Sequence, residues 1–387
     1  MTTISEKPPW IWPRAAYIHI PFCAHHCGYC DFAVTVGRDD FRDQYIDALL
    51  TEISGLEQPQ EIQTLFVGGG TPTHLSATQL DRLFRALFSW LPLTKEYEFS
   101  VEANPATLSD EKIAVLSQWG VNRVSLGAQS FRNETLHFLE RDHRAAEIET
   151  VVESIRKRIG SFSLDLIFGV PGQSADDWHK DLQQALSLGP DHISTYGLTY
   201  EKGTKLWKHV RSGHVLPLSE NEELQMYLQA MDVLQSAGME HYEISNFARP
   251  TKRSQHNQEY WANHAYFGFG MGAARYVNGN RELNTRDFAT YLKRISAGTS
   301  PTIQSERLSP EDTARETISL NLRRTEGIQP ESFQRQTGFS IFALAESTIK
   351  KLEQSGHLLV DEVGIRLTRE GKCLADSVIA QFWLGPE

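Results

Sequence analysis

The strongest constraint on the fold is a regular alternation of short apolar runs and longer amphipathic runs between residue 17 and about residue 246. The short runs are almost continuous in apolar residues, as expected for parallel strands that are buried on both faces. Amphipathic helices are predicted between them. The six strand candidates are residues 17–20, 64–67, 98–102, 123–126, 163–168 and 192–196.

Six strand–helix units in series predict an α/β fold in which a parallel sheet curls into a partial, TIM-like (β/α)6 barrel. Residues 256–275 are rich in Gly, Asn and aromatics, which favours a loop. After residue 306, helices are followed by an apolar hairpin, an order that resembles a smaller α+β, winged-helix-like module. The predicted division is a barrel over 1–246, a loop and connector over 247–305, and a C-terminal domain over 306–387.

Charge and composition limit the classes of partner. The chain has 49 Asp and Glu against 38 Lys and Arg, a net charge of −11. Nucleic acid and anionic membranes require a basic surface, and the predicted winged-helix module is itself acidic. No apolar run is long enough to span a membrane, and the N-terminus lacks a signal-peptide pattern. We therefore expect a cytoplasmic protein without a nucleic-acid partner, and the sequence is compatible with a homodimer.

Three of the four cysteines form a compact motif directly after the first predicted strand. Cys23, Cys27 and Cys30 have the spacing C-x-x-x-C-x-x-C, whereas Cys373 stands far away. Three thiolates on one tight loop can hold three irons of a cubane 4Fe–4S cluster and leave the fourth iron open. The spacing therefore predicts a cluster whose open iron is filled by a substrate or cofactor.

A zinc site is the alternative interpretation of the same loop. His19, His25 or His26 would then supply the fourth ligand. Structural zinc usually closes its shell with two ligand pairs that are separated by a longer stretch, and the sequence offers no second pair. The cluster is therefore favoured over zinc.

Other residues with chemical function also follow predicted strands. A run of three glycines, Thr71 and a proline follows the second strand, Glu102 ends the third, and Asp165 lies in the fifth. Active sites of α/β barrels form at the carboxyl ends of the strands. Glycines allow a ligand to approach the backbone, and a buried carboxylate must be paired or liganded. A salt bridge from either carboxylate to Arg123 or Arg141 would satisfy it equally well.

These motifs resemble the radical S-adenosylmethionine (SAM) superfamily, in particular its oxygen-independent coproporphyrinogen oxidase branch. The likeness extends from residue 17 to the terminal helices and rests on the cysteine triad and on residues 68–72, 102–105, 127–130 and 165–169. It implies that SAM chelates the open iron, that an electron donor reduces the cluster, and that a 5′-deoxyadenosyl radical is released. The implied SAM-contacting residues are Tyr17, Tyr29, Gly69, Gly70, Thr71, Glu102, Gln129, Arg141 and Asp165.

A further motif at residues 256–261 looks like the H-N-x-x-Y-W signature of the heme-chaperone family HemW. A histidine can ligate heme iron, and aromatic side chains can pack on the macrocycle. The resemblance implies that His256, Asn257, Tyr260 and Trp261 bind heme and that a separate protein accepts it. Considered without the family, one histidine beside aromatics is more often a packed, hydrogen-bonded residue.

The sequence leaves three functions open: a heme chaperone, a porphyrinogen-decarboxylating oxidase, and a radical SAM enzyme with another substrate. The oxidase has one more cysteine where this chain has Phe32, and a longer segment before the position of Tyr17. Both differences disfavour the oxidase. We therefore expect a heme chaperone, and whether the chain is also an enzyme is left open.

Overall fold

The structure, a computed structural model, describes residues 7–383. The outer ends of the first and last predicted domains, residues 1–6 and 384–387, lie outside the described residues, as does part of the N-terminal pattern weighed above for a signal peptide. Within the described part of the chain, no helix is long and apolar enough to cross a membrane. Twelve strands form one continuous sheet, and two further strands form a separate hairpin.

The first six strands pair in parallel and in sequence order, which confirms the partial (β/α)6 barrel. They are β1 Ala15–Ile20, β2 Ile62–Gly69, β3 Leu93–Ala103, β4 Arg123–Gln129, β5 Phe162–Phe168 and β6 His192–Gly197. All six coincide with the strands predicted from the apolar runs. Because parallel strands place their carboxyl ends on one rim, the residues predicted just past them converge.

Helices cover the outside of this sheet. They are α1 Arg42–Ser54, α2 Ala77–Trp90, α3 Asp110–Gln118, α4 Asn133–Phe138, α5 Ala145–Arg158, α6 Ala175–Ser187, α7 Lys205–Arg211 and α8 Glu220–Ser236. The second helix shows why they form: Ser76 and Gln79 make a reciprocal capping box at its start. Its buried residues recur at helical spacing and face the core of the barrel.

The interpretation of residues 256–275 as a loop is wrong. The region after β6 contains β7 Glu240–Glu243, β8 Asn246–Ala248, α9 Gln255–Trp261, β9 Tyr266–Phe269, β10 Ala274–Val277, β11 Asn280–Asn284, α10 Phe288–Ser296 and β12 Thr302–Glu306. Strand β9 pairs in parallel with β1, and β10 to β12 continue the sheet antiparallel. Of the glycines that resemble a loop, Gly268 lies within β9, and Gly270 and Gly272 form the turn between β9 and β10. The division of the chain at residues 246 and 305 stays a prediction.

The C-terminal region has its own apolar cluster. Its elements are α11 Pro310–Asn321, α12 Pro330–Thr337, α13 Ile341–Gln354, β13 Leu358–Asp361, β14 Gly364–Leu367, α14 Arg369–Cys373 and α15 Ala375–Ala380. The two strands form the predicted antiparallel hairpin. Helices followed by a hairpin confirm the winged-helix-like order of elements.

Gly268 in β9 provides a test of the close contact between β9 and β10. A Cβ at this position would lie 1.8 Å from the Ala274 carbonyl oxygen, so β10 would have to move. We expect Gly268→Ala to lower the free energy of unfolding by about 1–3 kcal/mol, as overpacking does. Gly197→Ala is the control, because its nearest neighbours are Phe168 ring atoms at 3.4 Å or more. Equal urea midpoints for the two variants would contradict this account of β9.

Candidate functional site

A cavity of about 740 Å³ opens at the carboxyl ends of the barrel strands. It is lined by most of the residues predicted for the cluster and for SAM: Cys23, Cys27, Cys30, Tyr29, Gly69, Gly70, Thr71, Glu102, Gln129, Arg141 and Asp165. These residues come from the ends of different strands and from the loops that follow them. The fold therefore brings together what is dispersed in the sequence.

The cysteine loop presents three free, half-buried thiols to this cavity. The Cys23 sulfur lies 3.5 Å from the Thr71 hydroxyl, and the Cys27 sulfur lies 3.9 Å from the Arg141 guanidinium. Burial raises the pKa of Cys23 to about 11 and also raises the pKa values of Cys27 and Cys30. Thiolates at this depth therefore require a cationic partner such as iron.

The donor set fits a cubane cluster better than a single ion. Within residues 7–383, no three His, Cys, Asp or Glu side chains are arranged to hold one metal ion. The histidines of the zinc alternative are each engaged elsewhere: His19 with Ala33 O at 2.7 Å, His25 with Glu140 at 3.2 Å, and His26 with Cys30 O at 3.1 Å. In a cubane cluster, three thiolates bind three different irons.

The glycine run after β2 forms a cradle against the cysteine loop. A Cβ at Gly70 would lie 2.9 Å from the Cys23 sulfur, and a Cβ at Gly69 would lie 2.6 Å from the His19 ring. Gly69 also has φ +115°, which side chains rarely adopt. The backbone here is held against both neighbours without room for a side chain.

Glu102 and Asp165 are buried carboxylates on this rim. The Gly69 N–H donates to Glu102 at 2.9 Å, and burial raises the Glu102 pKa to about 8. The hydroxyls of Ser194 and Ser125 donate to Asp165 at 2.7 and 3.0 Å, and burial raises its pKa as well. Both side chains line the cavity and retain unused acceptor positions for a cationic or hydroxyl-bearing ligand.

The salt-bridge alternative for these carboxylates is wrong among the described residues. Arg123 lies 3.4 Å from Glu98, which precedes Glu102 on β3 and lies at the middle of that strand. Arg141 donates to the Gly127 carbonyl at 3.0 Å, and its buried Nε has no partner in the described part of the chain. Neither arginine pairs with the rim carboxylates, so those carboxylates stay available to a ligand.

Gln129 ends β4 in a left-handed conformation, with φ +63°. Side chains other than glycine rarely adopt this region, and such strain concentrates at functional sites. The register between β4 and β5 also shifts just before this residue. The irregularity turns the Gln129 side chain toward Gly127 and into the cavity.

Tyr17 is the one residue of the implied SAM set that does not line the cavity. Its hydroxyl is 3.0 Å from His19 Nδ1, and the other nitrogen of His19 holds the Ala33 carbonyl. Burial lowers the His19 pKa to about 4, so this histidine is neutral at physiological pH. Through His19, Tyr17 is therefore linked to the segment that follows the cysteine loop and not to the cavity itself.

Sequence reasoning missed Tyr196 as a site residue. It lies near the end of β6, lines the cavity and is 42% exposed within it. The rule that active-site residues follow barrel strands applies to β6 as it does to β1 to β5. A search for a polar or aromatic residue at the end of each strand would have found it.

The structure places His256 in a buried position on a helix and not in a loop, whereas its predicted role in binding heme stays a prediction. This residue is 1% exposed, on helix α9. Its Nδ1 lies 2.8 Å from the Thr64 hydroxyl and its Nε2 lies 2.9 Å from the Tyr260 hydroxyl. Burial lowers its pKa to about 3. Both ring nitrogens are engaged, so coordination of iron by His256 requires one of these two hydrogen bonds to break.

Helix α9 is held firmly at the amino end of the strands, away from the cysteine loop. The Glu98 carboxylate accepts hydrogen bonds from the Ser254 hydroxyl and from the Gln255 and His256 N–H groups. Asn257 N–H donates to the Ser254 hydroxyl, which caps the helix. These bonds fix the start of the predicted heme motif inside the protein.

The other end of the motif contacts the C-terminal region. The Arg323 guanidinium lies 5.0 Å from the centre of the Trp261 ring. The Gln336 amide donates to the carbonyls of Ala262 and Asn263. None of the four residues implied to bind heme lines the cofactor cavity. The signature thus joins the barrel to the C-terminal helices in this structure.

Comparison with known proteins defines the class. The profile of the radical SAM superfamily matches residues 17–185, and the HemN C-terminal domain matches residues 308–374. The solved structure of coproporphyrinogen III oxidase (HemN) from Escherichia coli superposes with a TM-score of 0.84 and 23% identity, over 96% of this chain and 90% of that one. At that identity, the likeness establishes the fold. Fold and site together define a radical SAM protein.

Two curated relatives narrow the family. The heme chaperone HemW of Bacillus subtilis is 37% identical over 95% of this chain and 99% of its own length. That of Lactococcus lactis is 38% identical over 96% of this chain and 98% of its own. The chain therefore belongs to the HemW family of radical SAM proteins.

The raised pKa of Glu102 generates a prediction about stability and pH. Between about pH 4.5, where the unfolded side chain ionises, and pH 8, the folded protein holds a proton that the unfolded chain has lost. Stability from this group is therefore fully present below pH 4.5 and is lost as the pH rises to 8, at up to about 1.4 kcal/mol per pH unit. We expect Glu102→Gln to remove this contribution. Parallel urea-stability curves for both proteins from pH 5 to 8 would contradict the assignment.

Proposed function

We propose that this chain is a heme chaperone that binds heme and transfers it to an acceptor protein. The observation that carries the proposal is the similarity of the chain, over nearly its full length, to two curated heme chaperones, whose name states that function. The coproporphyrinogen oxidase likeness is more distant in sequence, at 23% identity. The oxidase is the alternative, and two features of the cavity bear on it.

The cavity would hold a 4Fe–4S cluster on Cys23, Cys27 and Cys30, with SAM beside it. Glu102 and Asp165 offer acceptors to the ammonium or ribose hydroxyls of SAM, and Arg141 offers a free buried Nε–H to its carboxylate. When bound, the pair of cofactors supplies reductive cleavage of a sulfonium to a carbon radical. The residues of this chain hold and orient the two cofactors.

The charge of the cavity disfavours a porphyrinogen substrate. One guanidinium, that of Arg141, stands among seven acidic side chains, of which Glu102 holds its proton at neutral pH. They are Asp31, Glu102, Glu140, Asp142, Asp165, Glu201 and Asp376. Coproporphyrinogen carries four propionates, which a carboxylate-lined cavity repels. SAM carries a sulfonium and an ammonium against one carboxylate, so its net charge is complementary to this lining. The excess of acidic side chains therefore supports a site for SAM and disfavours an anionic macrocycle in the same cavity.

Phe32 is the second feature. It is 71% exposed at the cavity rim, where the oxidase branch has a further cysteine. A phenyl ring supplies neither a thiol nor a proton, so any step that uses this position chemically is lost. The exposed ring instead offers an apolar surface at the mouth of the site.

The remaining expectations from the sequence belong to the same proposal. An electron donor would reduce the cluster, and the absence of disulfides among the described cysteines is in keeping with a reducing cytosol. A homodimer is compatible with it. Heme ligation by His256, with Asn257, Tyr260 and Trp261 around it, would require the His256–Tyr260 hydrogen bond to break first.

The cofactor assignment predicts that cluster binding and SAM binding can be lost independently. We expect Cys23→Ala, Cys27→Ala or Cys30→Ala each to abolish iron and sulfide binding after anaerobic reconstitution. Asp165→Asn should keep the iron and weaken SAM about ten- to a hundredfold, because one hydrogen-bonded charged contact contributes about 1.5–3 kcal/mol. Asp181→Asn is the matched control, since Asp181 is buried and bonded to Ser130 but lies outside the cavity.

Iron content by colorimetry and SAM affinity by equilibrium dialysis would measure these losses. Recovery of one zinc per chain instead of iron would refute the cluster. A SAM affinity that Asp165→Asn leaves unchanged, or that Asp181→Asn lowers equally, would make Asp165 a structural residue.

The choice between chaperone and oxidase has its own test. We expect reconstituted protein to bind about one heme per monomer and to form no protoporphyrinogen from coproporphyrinogen under reducing, anaerobic conditions with SAM present. The carboxylate-lined cavity and Phe32 are the physical reasons. Heme titration by absorbance and product analysis by chromatography give the two readouts. Formation of protoporphyrinogen would overturn the chaperone assignment in favour of the oxidase.

A further inference from the structure

Three serines surround Asp165 in the interior of the barrel, on three neighbouring strands. Ser125 lies on β4, Ser163 on β5 and Ser194 on β6. Barrel interiors are usually filled by bulky branched side chains, which pack without hydrogen bonds. A serine fills little volume, and its hydroxyl needs a hydrogen-bond partner when it is buried. We call these three residues the serine set, and their presence here indicates a hydrogen-bonding role.

The register of the strands brings the serine set to Asp165. Ser194 lies opposite Asp165 in the pairing of β5 and β6, and Ser125 lies opposite Ser163 in the pairing of β4 and β5. Ser163 precedes Asp165 by two residues, so both side chains point to the same face of the sheet. That face is the interior of the barrel, because Asp165 and Ser125 line the cofactor cavity. Three strands thus contribute to one cluster of side chains.

The hydrogen bonds of this cluster all run toward the carboxylate. Ser194 Oγ donates to Asp165 Oδ1 at 2.7 Å, and Ser125 Oγ donates to Asp165 Oδ2 at 3.0 Å. Ser163 Oγ donates to Ser125 Oγ at 2.8 Å. A hydroxyl has one proton, so Ser125 accepts from Ser163 and directs its own proton at Asp165. Both oxygens of Asp165 therefore have a fixed donor from the protein.

These bonds keep Asp165 in the form that accepts hydrogen bonds. Burial raises the pKa of Asp165, whereas the bonds from Ser194 and Ser125 and the nearby charge of Arg141 oppose that rise. The carboxylate of Glu102 also faces it across the cavity. Because the serines occupy one lone pair on each oxygen, the remaining lone pairs are left for a ligand that donates.

The position of Asp165 along the sheet indicates which part of SAM it would meet. The cysteine loop follows β1 and contacts the glycine run after β2. Under the proposed assignment, the methionine end of SAM is held there, beside the cluster. Asp165 lies on β5, three strands beyond β2, which is about 14 Å along the sheet at the usual strand spacing. The nucleoside end, whose ribose has two hydroxyl donors, would therefore reach Asp165.

We propose that Ser125, Ser163 and Ser194 are positioning residues that hold Asp165 in the orientation that accepts the ribose hydroxyls of SAM. Ser194 and Ser125 act on the carboxylate directly, and Ser163 acts through Ser125. This inference rests on the SAM site of the proposed function, and it names the residues that give that site its preference for a ribose.

The affinity of the cluster-loaded full chain for SAM measures this role, with a SAM analogue that lacks both ribose hydroxyls as the second probe. We expect Ser194→Ala or Ser125→Ala to weaken SAM about three- to tenfold, because the carboxylate loses one of its two fixed donors. Ser163→Ala should weaken SAM less. Ser125→Thr keeps the hydroxyl and should bind like the parent. Ser100→Ala is the matched control, since Ser100 is a buried barrel serine that donates to Glu98 at 3.3 Å.

A double-mutant cycle separates positioning from general destabilisation. In the Asp165→Asn protein, Ser194→Ala should cause a further loss of less than about twofold, since its effect passes through the carboxylate. The analogue without ribose hydroxyls should bind to the Ser194→Ala protein as it binds to the parent. Iron content should equal that of the parent in every variant, because no serine of the set contacts the cysteine loop.

The outcomes distinguish the site from the positioning role. If the parent binds no SAM, the SAM site of the proposed function fails. If the parent binds SAM and the Ser194→Ala and Ser125→Ala proteins bind it equally well, the site stands and the positioning role is wrong. A loss of equal size in Ser100→Ala, with the analogue, or in the Asp165→Asn background would also overturn the role, as would a loss of iron in both serine variants.

Discussion

The site depends on backbone hydrogen bonds that join the cysteine loop to the glycine run. Gly70 N–H donates to the Ile20 carbonyl at 2.8 Å, and Thr71 N–H donates to the Phe22 carbonyl at 2.9 Å. These bonds extend the parallel pairing of β1 and β2 beyond the last regular residues. Any side chain larger than hydrogen on the glycines would separate the two segments. The thiols thus face the cavity because two strand ends are held together without side chains between them.

A series of packed rings connects helix α9 to the cysteine loop. His256 stacks on Phe66 with centres 5.1 Å apart, Phe66 stacks on Tyr17 at 6.1 Å, and Tyr17 bonds His19. His19 in turn holds the Ala33 carbonyl, just past the cysteine loop. Packed side chains therefore connect the H-N-x-x-Y-W signature to the segment that follows the cysteine loop. Loss of heme or SAM binding on changing His256 would be explained by this series of rings as well as by direct ligation.

Sequence reasoning recovered the barrel and the cavity because both follow from local patterns. Continuous apolar runs identify buried parallel strands, and parallel strands bring their carboxyl ends together, so Cys23, Glu102 and Asp165 had to meet. The environment of His256 could not be predicted from local sequence patterns. Its partners Thr64 and Glu98 lie more than 150 residues earlier in the chain, and only the parallel addition of β9 beside β1 places α9 among them. A glycine-rich, aromatic stretch predicts a loop by composition, whereas here its glycines permit close strand approach.

The charge of the cavity distinguishes between two kinds of ligand. A lining of seven acidic side chains and one arginine suits a cationic cofactor better than an anionic macrocycle. The oxidase reaction requires its anionic substrate to enter the cavity itself. A cofactor site and a porphyrinogen site therefore place opposite demands on one lining, and the acidic side chains of this cavity meet the demand of the cofactor.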